Sequence, residues 1–181
     1  MLIMYSICLV NPSMTYAEDI WKFRQEVLYS KDAERNKFAG CCSLEKCTSA
    51  KEWIHFVEEC SVVETCPKDK APSVTFLAVR IKDNKIVGIA NLRYHLSNPI
   101  LALWGGHIGY SVRPSERRKG YAKEMLQQAV SRCPSLGIDR LLVTCDSSNL
   151  PSKKTILACG GVYEKSVIVD GEPVERYWII V

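Results

Sequence analysis

The stretch HIGYSVRPSERRKGYAKEMLQQA, His107 to Ala129, constrains this chain more than any other. A glycine-bearing apolar run with strand character stops at Val112-Arg113-Pro114, and Arg117, Arg118, Lys119 and Gly120 follow. A helical pattern opens behind them, with Tyr121, Met125 and Ala129 on one side and Ala122, Leu126 and Val130 beside them. A helix starting there leaves its first N–H groups unpaired, and its dipole adds roughly half a positive charge. Gly120 carries no side chain to hold a ligand away from that backbone. With the neighbouring cations, Arg113 included, this makes a seat for a multiply charged anion such as a pyrophosphate. A basic solvated turn before an ordinary helix is the competing reading. Neither G-x-x-x-x-G-K-[ST] nor G-x-G-x-x-G occurs.

Residues 1–10 read as a strand. The segment from Met14 to Ser30 has Ile20, Phe23, Val27 and Leu28 at helical spacing, with Thr15 and Glu18 as a capping box. A second helix carries Trp53, Phe56, Val57 and Cys60 after a Thr-Ser start. Two strands follow, SVTFLAVRI and IVGIANLRYHL, joined by a KDNK turn, and ILALWGGHIGYSV supplies further strand material. The central helix comes next, then the apolar strand RLLVTCD, a short helix closed by Gly160-Gly161, and a terminal hairpin turning at Asp170-Gly171. The order is β-α-α-β-β-β-α-β-α-β-β, a mixed α/β (α+β) layout. At 181 residues the chain reads as one domain, 1–181, with no repeats or linkers.

Acidic residues are in excess between positions 15 and 66 and basic ones beyond, within a net charge of only +4. That favours an anionic ligand for the second part and does not ask for nucleic acid. No apolar run approaches the roughly 20 residues of a membrane span. Nine cysteines, with no secretory leader ahead of them, suit free thiols in a reducing cytoplasm. Cys41, Cys42, Cys47, Cys60 and Cys66 contain no C-x-x-C pair, so they read as small buried hydrophobes rather than metal ligands.

Val112-Arg113-Pro114 followed by Arg117-Arg118-Lys119-Gly120-Tyr121-Ala122 closely resembles the acetyl-CoA motif of the GNAT superfamily of N-acyltransferases: a strand ending V-x-P, then R/Q-x-x-G-x-G/A opening a helix. Asn149, Ser152 and Gly160 resemble the family's N-x-x-[AS]…G segment. The resemblance is strong from about Val74 onward; before Ala71 it rests on element order alone. Within the superfamily, GGHIGYSVRPSERRKGYA, CGG and RYWI look like a predicted acetyltransferase subgroup of bacterial type. The resemblance implies a GNAT fold, with a mixed sheet of about seven strands and about four helices. It implies acetyl-CoA as co-substrate, no metal, and transfer of acetyl to a primary amine by direct attack in a ternary complex. Backbone groups of Tyr110, Ser111 and Val112 would pair with the pantetheine arm. The amides of Arg117, Arg118, Lys119, Gly120, Tyr121 and Ala122 would hold the pyrophosphate. Asn149 and Ser152 would meet the pantetheine or place the second strand, although Asn149 also fits a plain N-cap. The Tyr110 amide would polarise the thioester carbonyl.

The catalytic groups are less defined. Many family members carry a Tyr seven residues after the Asn as the acid for the leaving thiolate, and here that position is Ile156. Tyr94, Tyr110 and Tyr163 are substitutes. His107, at the start of the central strand, is the candidate base, against a histidine merely packed beside Trp104. His55 reads as structural and His95 as a surface strand residue. Cys145 and Cys159 read as packing near the cofactor. Glu18, Asp19, Glu26, Asp32, Glu34 and Glu45 would suit a cationic acceptor, or a solvated helix face. Two rivals to the enzyme are a silent acyl-CoA-binding module and a nucleic-acid binder. A homodimer is compatible with the sequence.

Overall fold

The computed structural model describes residues 5–32, 37–96 and 98–181. Eleven elements follow the expected order: β1 (Ile7–Val10), α1 (Ala17–Leu28), α2 (Ala50–Cys60), β2 (Ser73–Arg80), β3 (Lys85–Arg93), β4 (Ile108–Val112), α3 (Tyr121–Arg132), β5 (Arg140–Asp146), α4 (Leu150–Ala158), β6 (Val162–Val169) and β7 (Glu172–Ile180). The expected first strand shortens to four residues, and residues 1–4 lie outside the described ones. The strands do not form one continuous sheet. They divide into an antiparallel β1-β2-β3-β4 sheet and a β5-β7-β6 sheet.

Two buried clusters flank the first sheet. On one face α1 and α2 lay Ile20, Phe23, Val27, Trp53, Ile54 and Val57 against Leu77, Val79, Ile86 and Ile89. On the other, α3 sets Tyr121, Met125, Leu126 and Ala129 against Phe76, Ala78, Val87, Ala90 and Leu92. Each Val, Leu, Ile, Phe or Met side chain among them contributes about 1.5–3 kcal/mol by leaving water. Strand β3 is buried along almost its whole length because helices cover both its faces. Gly88 lets α3 come close: a Cβ there would stand 2.6 Å from the Met125 sulfur. The outer edge of β1 is closed by side chains of α3. Gln128 accepts from the Leu9 N–H and donates to the Ile7 carbonyl, and Arg132 donates to the Leu9 carbonyl.

Local chemistry explains most boundaries. Ser49 caps α2 by accepting from the Glu52 N–H, while the Glu52 carboxylate reaches back to accept from the Thr48 hydroxyl and amide, a close variant of the capping box. The box expected at Thr15 does not form. A single 3-10 turn, Met14–Tyr16, runs straight into α1, and Thr15 lies within that turn rather than ahead of a helix. The stretch ahead of β4 is not strand either: Leu101–Gly105 forms one π-helical turn, tied down because Arg176 donates to the carbonyls of Ala102 and Leu103.

Candidate functional site

Strands β4 and β5 meet at one end and diverge at the other. The meeting point is His107. Its N–H donates to the Leu142 carbonyl at 2.9 Å, and its ring Nδ1 accepts from the Leu142 N–H at 2.9 Å. Gly106 makes this approach possible: its φ is +65°, and a Cβ would stand 2.7 Å from the Leu142 carbonyl oxygen. Beyond this staple no ladder joins the two strands among the described residues, and β4 presents an open edge.

Register decides which backbone groups line that edge. Gly109 pairs with Asn91 and Ser111 with Ile89, and the Arg113 N–H donates to the Val87 carbonyl. Alternation in an antiparallel pair therefore turns residues 109, 111 and 113 toward β3, and residues 110 and 112 toward the gap. Tyr110 and Val112 offer their N–H and C=O groups there. Ser111, expected to offer its backbone as well, spends it on β3; its hydroxyl instead donates to the Ala39 carbonyl at 2.7 Å.

The gap leads to the mouth of α3. Gly120 is the N-cap, with φ +86° and open space where a Cβ would stand. The amides of Arg118, Lys119, Gly120, Tyr121 and Ala122 have no acceptor among the described residues, and the first helical bonds run from Lys123 and Glu124 to the Gly120 carbonyl. These successive free N–H groups at a helix N-terminus form a cup that fits a phosphate.

The cations around the cup are mostly engaged. Arg113 does not contribute: it is fully buried, donating to the Asp19 carboxylate and carbonyl, with its guanidinium over the Phe23 ring. Arg117 forks onto Asp32 at 2.6 and 2.8 Å and donates through Nε to the Val112 carbonyl. Lys119 pairs with Glu116, a buried carboxylate that also holds Arg80 and Lys85. Those three cations hold Glu116 down at about 2, Lys119 most strongly. Arg118, at φ +64°, is exposed and has no partner among the described residues.

Across the gap, Asn149 caps α4: its side chain accepts from the Ser152 N–H. The Ser152 hydroxyl lies 3.1 Å from the Tyr110 hydroxyl, whose pKa burial pushes up. The Cys145 thiol is pushed up to about 11, chiefly by burial. The other tyrosines point elsewhere. Tyr94 donates to the Ser61 carbonyl, and Tyr163, on the exposed strand β6, pairs with Ser166. His107 is buried beside Trp178 rather than Trp104. Burial first, then the charges of Arg93 and His95, lower its pKa from 6.5 to about 4. His95 is exposed beyond the end of β3, and His55 is exposed on α2 near Glu59.

The acidic residues of the first half are mostly committed to the scaffold. Glu18 pairs with Lys22, Asp19 accepts from the Ile86 N–H and Arg113, and Glu26 accepts from Ser115. Glu34 lies outside the described residues. Sequence reasoning missed the turn at 38–43. Gly40 there rests on Gly109 so closely that a Cβ would come within 2.1 Å of the Gly109 carbonyl oxygen. Gly40 inside an otherwise Cys-rich loop was the available signal. All nine cysteines are free, and no group of three or more His, Cys, Asp or Glu among the described residues could hold a metal. No helix is long and apolar enough to cross a membrane, among the described residues.

A parted strand pair leading to a free-amide cup offers a ligand an open strand edge and, at its end, a run of N–H donors suited to a phosphate. The family model described as an acetyltransferase (GNAT) domain matches residues 15–162, and the chain belongs to that family. A sequence search of curated proteins finds no match. Among solved structures, a GnaT-family acetyltransferase from Bordetella pertussis shares 14% identity at a TM-score of 0.66, over 98% of this chain and 97% of that one. RimL, a ribosomal L7/L12 alpha-N-protein acetyltransferase in complex with coenzyme A, shares 17% identity at 0.66, over 99% and 97%. The Microcin C7 self-immunity acetyltransferase MccE, in complex with acetyl-CoA and AMP, shares 17% at 0.65, over 98% and 94%.

Proposed function

We propose that the chain, acting as one domain in a reducing cytoplasm, is an N-acetyltransferase that moves acetyl from acetyl-CoA to a primary amine. The observation that carries this reading is the run of acceptor-free amides from Arg118 to Ala122, placed at the end of the open β4 edge. The cup would take the diphosphate of acetyl-CoA, with Arg118 free to meet a further phosphate. Tyr110 and Val112 would pair with the pantetheine arm as an added strand does, Arg117 releasing the Val112 carbonyl. The Tyr110 amide, which faces the gap, would stabilise the oxyanion at the thioester carbon.

Transfer then needs a neutral amine. Its nitrogen attacks the thioester carbon, the C–N bond forms, the C–S bond breaks, and the amine's surplus proton leaves to base or water. His107 does not fill that role on this reading. Neutral imidazole has one lone pair, and the Leu142 N–H occupies it. The histidine is the staple that holds the gap's closed end. The Tyr110 hydroxyl, hydrogen-bonded with Ser152 beside the α4 cap, would lend a proton to the departing thiolate where Ile156 replaces the usual tyrosine, and would regain it from the proton that the amine gives up. The buried thiol of Cys145 is too weakly acidic to serve as an acyl carrier, which favours direct attack.

Ile156 also favours a second reading, an acyl-CoA-binding module without turnover. Calorimetry with acetyl-CoA and free CoA tests the shared premise: no binding at millimolar ligand would sink both. Chromatographic detection of CoA release across an amine panel separates them.

A further inference from the structure

A cavity of about 280 Å³ lies on the α1–α2 face, between the turn carrying Gly40 and the end of β3. Gly40, Cys42, Lys70, Ser73, Asn91 and Arg93 line it. It adjoins the chemistry, because Asn91 is the register partner of Gly109, next to Tyr110, and Gly40 rests on that same Gly109.

The charge of its wall is one-sided. Arg93 donates through one nitrogen to the carbonyls of Gly105 and Gly106, both at 3.1 Å, and has no carboxylate partner among the described residues. An arginine keeps its charge under all ordinary conditions and carries five N–H donors, so most of its donors stay available. Lys70 reaches the Ser43 hydroxyl at 3.5 Å and lies 3.8 Å from the exposed carboxylate of Asp69. Among the described residues no Asp or Glu lines the cavity. The Cys42 thiol reports the same field. Its pKa is lowered first by the Cys60 thiol, then, against burial, by the Thr75 hydroxyl and the charges of Lys70 and Arg93. The other end offers an acceptor. Asn91 donates its Nδ2 to the hydroxyls of Ser73 and Thr75, which leaves Oδ1 without a donor among the described residues. Two residues along a strand separate Asn91 from Arg93, about 6–7 Å of backbone.

Resting on the acetyl-transfer reading, we propose that this cavity receives the acceptor, and that Arg93 and Lys70 bind an anionic group of it while Asn91 receives its amine end. The acceptor is then a short amine that also carries a carboxylate or a phosphate, not a polycation.

The field can be read without turnover. Cys42 lines the cavity and Cys8 is exposed. Iodoacetate and iodoacetamide alkylate thiols alike but differ in charge, and peptide mass spectrometry gives the rate at each cysteine. The iodoacetate-to-iodoacetamide ratio at Cys42 should exceed that at Cys8 by about tenfold, and Lys70→Ala or Arg93→Met should bring it toward the Cys8 value. A ratio at or below that of Cys8 overturns the proposal, as does a Cys42 inert to both reagents. Lys70→Ala keeps this decisive if Arg93→Met does not fold. CoA release with γ-aminobutyrate against butylamine, and with O-phosphoethanolamine against ethanolamine, then distinguishes carboxylate from phosphate. The anionic member of at least one pair should win by about tenfold in kcat/KM, close to 1.4 kcal/mol. Preference for the partners that lack the anionic group overturns the proposal while leaving acetyl-CoA binding, measured separately by calorimetry, intact. Loss of that binding would instead strike the transferase reading.

Discussion

Replacing His107 by asparagine separates a staple from a base. The asparagine Oδ1 can occupy the place of the ring Nδ1 and accept from the Leu142 N–H, but it cannot titrate. The wild-type imidazole has its pKa lowered from 6.5 to about 4. The unfolded chain therefore takes up a proton as pH falls through 6.5, while the folded chain refuses it until about 4. The histidine's contribution is complete above 6.5 and is lost progressively down to about 4. At 1.36 kcal/mol per pH unit, the whole window is worth roughly 3 kcal/mol. With a urea slope of roughly 2 kcal/mol/M, the wild-type midpoint should fall by about 1.5 M between pH 7 and pH 4 through this group alone. His107→Asn should flatten that decline and keep kcat/KM within a few-fold. His107→Ala, which leaves the Leu142 N–H buried and unpaired, should cost about 1–3 kcal/mol at pH 7. Urea titrations at several pH values, with acetyl-CoA calorimetry and CoA-release rates on the same proteins, check this. If His107→Asn keeps the wild-type acid sensitivity, the staple is misread. A loss of about 100-fold in kcat/KM with folding and cofactor affinity intact would make His107 the base after all.

Ala122→Pro removes one amide of the cup at a first-turn position where no helical bond is lost. The Kd for CoA in calorimetry should rise by about 10- to 100-fold, as losing a hydrogen bond to a charged group implies, with little change in Tm. Gly40→Ala would drive a Cβ within 2.1 Å of the Gly109 oxygen at a φ of +73°; acceptor turnover should collapse while CoA binding persists, as paired calorimetry and kinetics would show. Glu116→Gln should destabilise the protein by roughly 3 kcal/mol in urea, because three cations lose their shared counter-charge. The Glu116 carboxyl sits at about 2 when folded, so its stabilisation holds above pH 4.5 and fades as pH falls toward 2.

Periodicity and punctuation carried the element order, because the apolar spacing of the helices and the Pro and Gly breaks are local signals. The cup was legible for the same reason: its amides follow one another in the chain. What depends on contacts between distant segments was not. Arg113 sits among the motif's cations, but its side chain turns inward to Asp19, 94 positions earlier. The parting of β4 from β5 hangs on one histidine and Leu142, which no pattern links. Arg93 ends an apolar strand like any other flanking arginine, and only the folded chain shows that it packs on the carbonyls of Gly105 and Gly106 with no carboxylate partner among the described residues. Ser111 looked equivalent to its neighbours until the register with Ile89 set the parity of the strand.

Strand β3, roofed by helices on either side, works as a party wall. The amide cup belongs to α3 on one flank, and the cationic cavity to the α1–α2 flank. On the proposed function, variation in the turn at 38–43 would redirect which amine is accepted while the tenant next door keeps its grip on CoA. Links that breach the wall include Arg113 to Asp19, Arg117 to Asp32, Ser115 to Glu26 and Ser111 to Ala39, and these are places where drift on one side would be felt on the other.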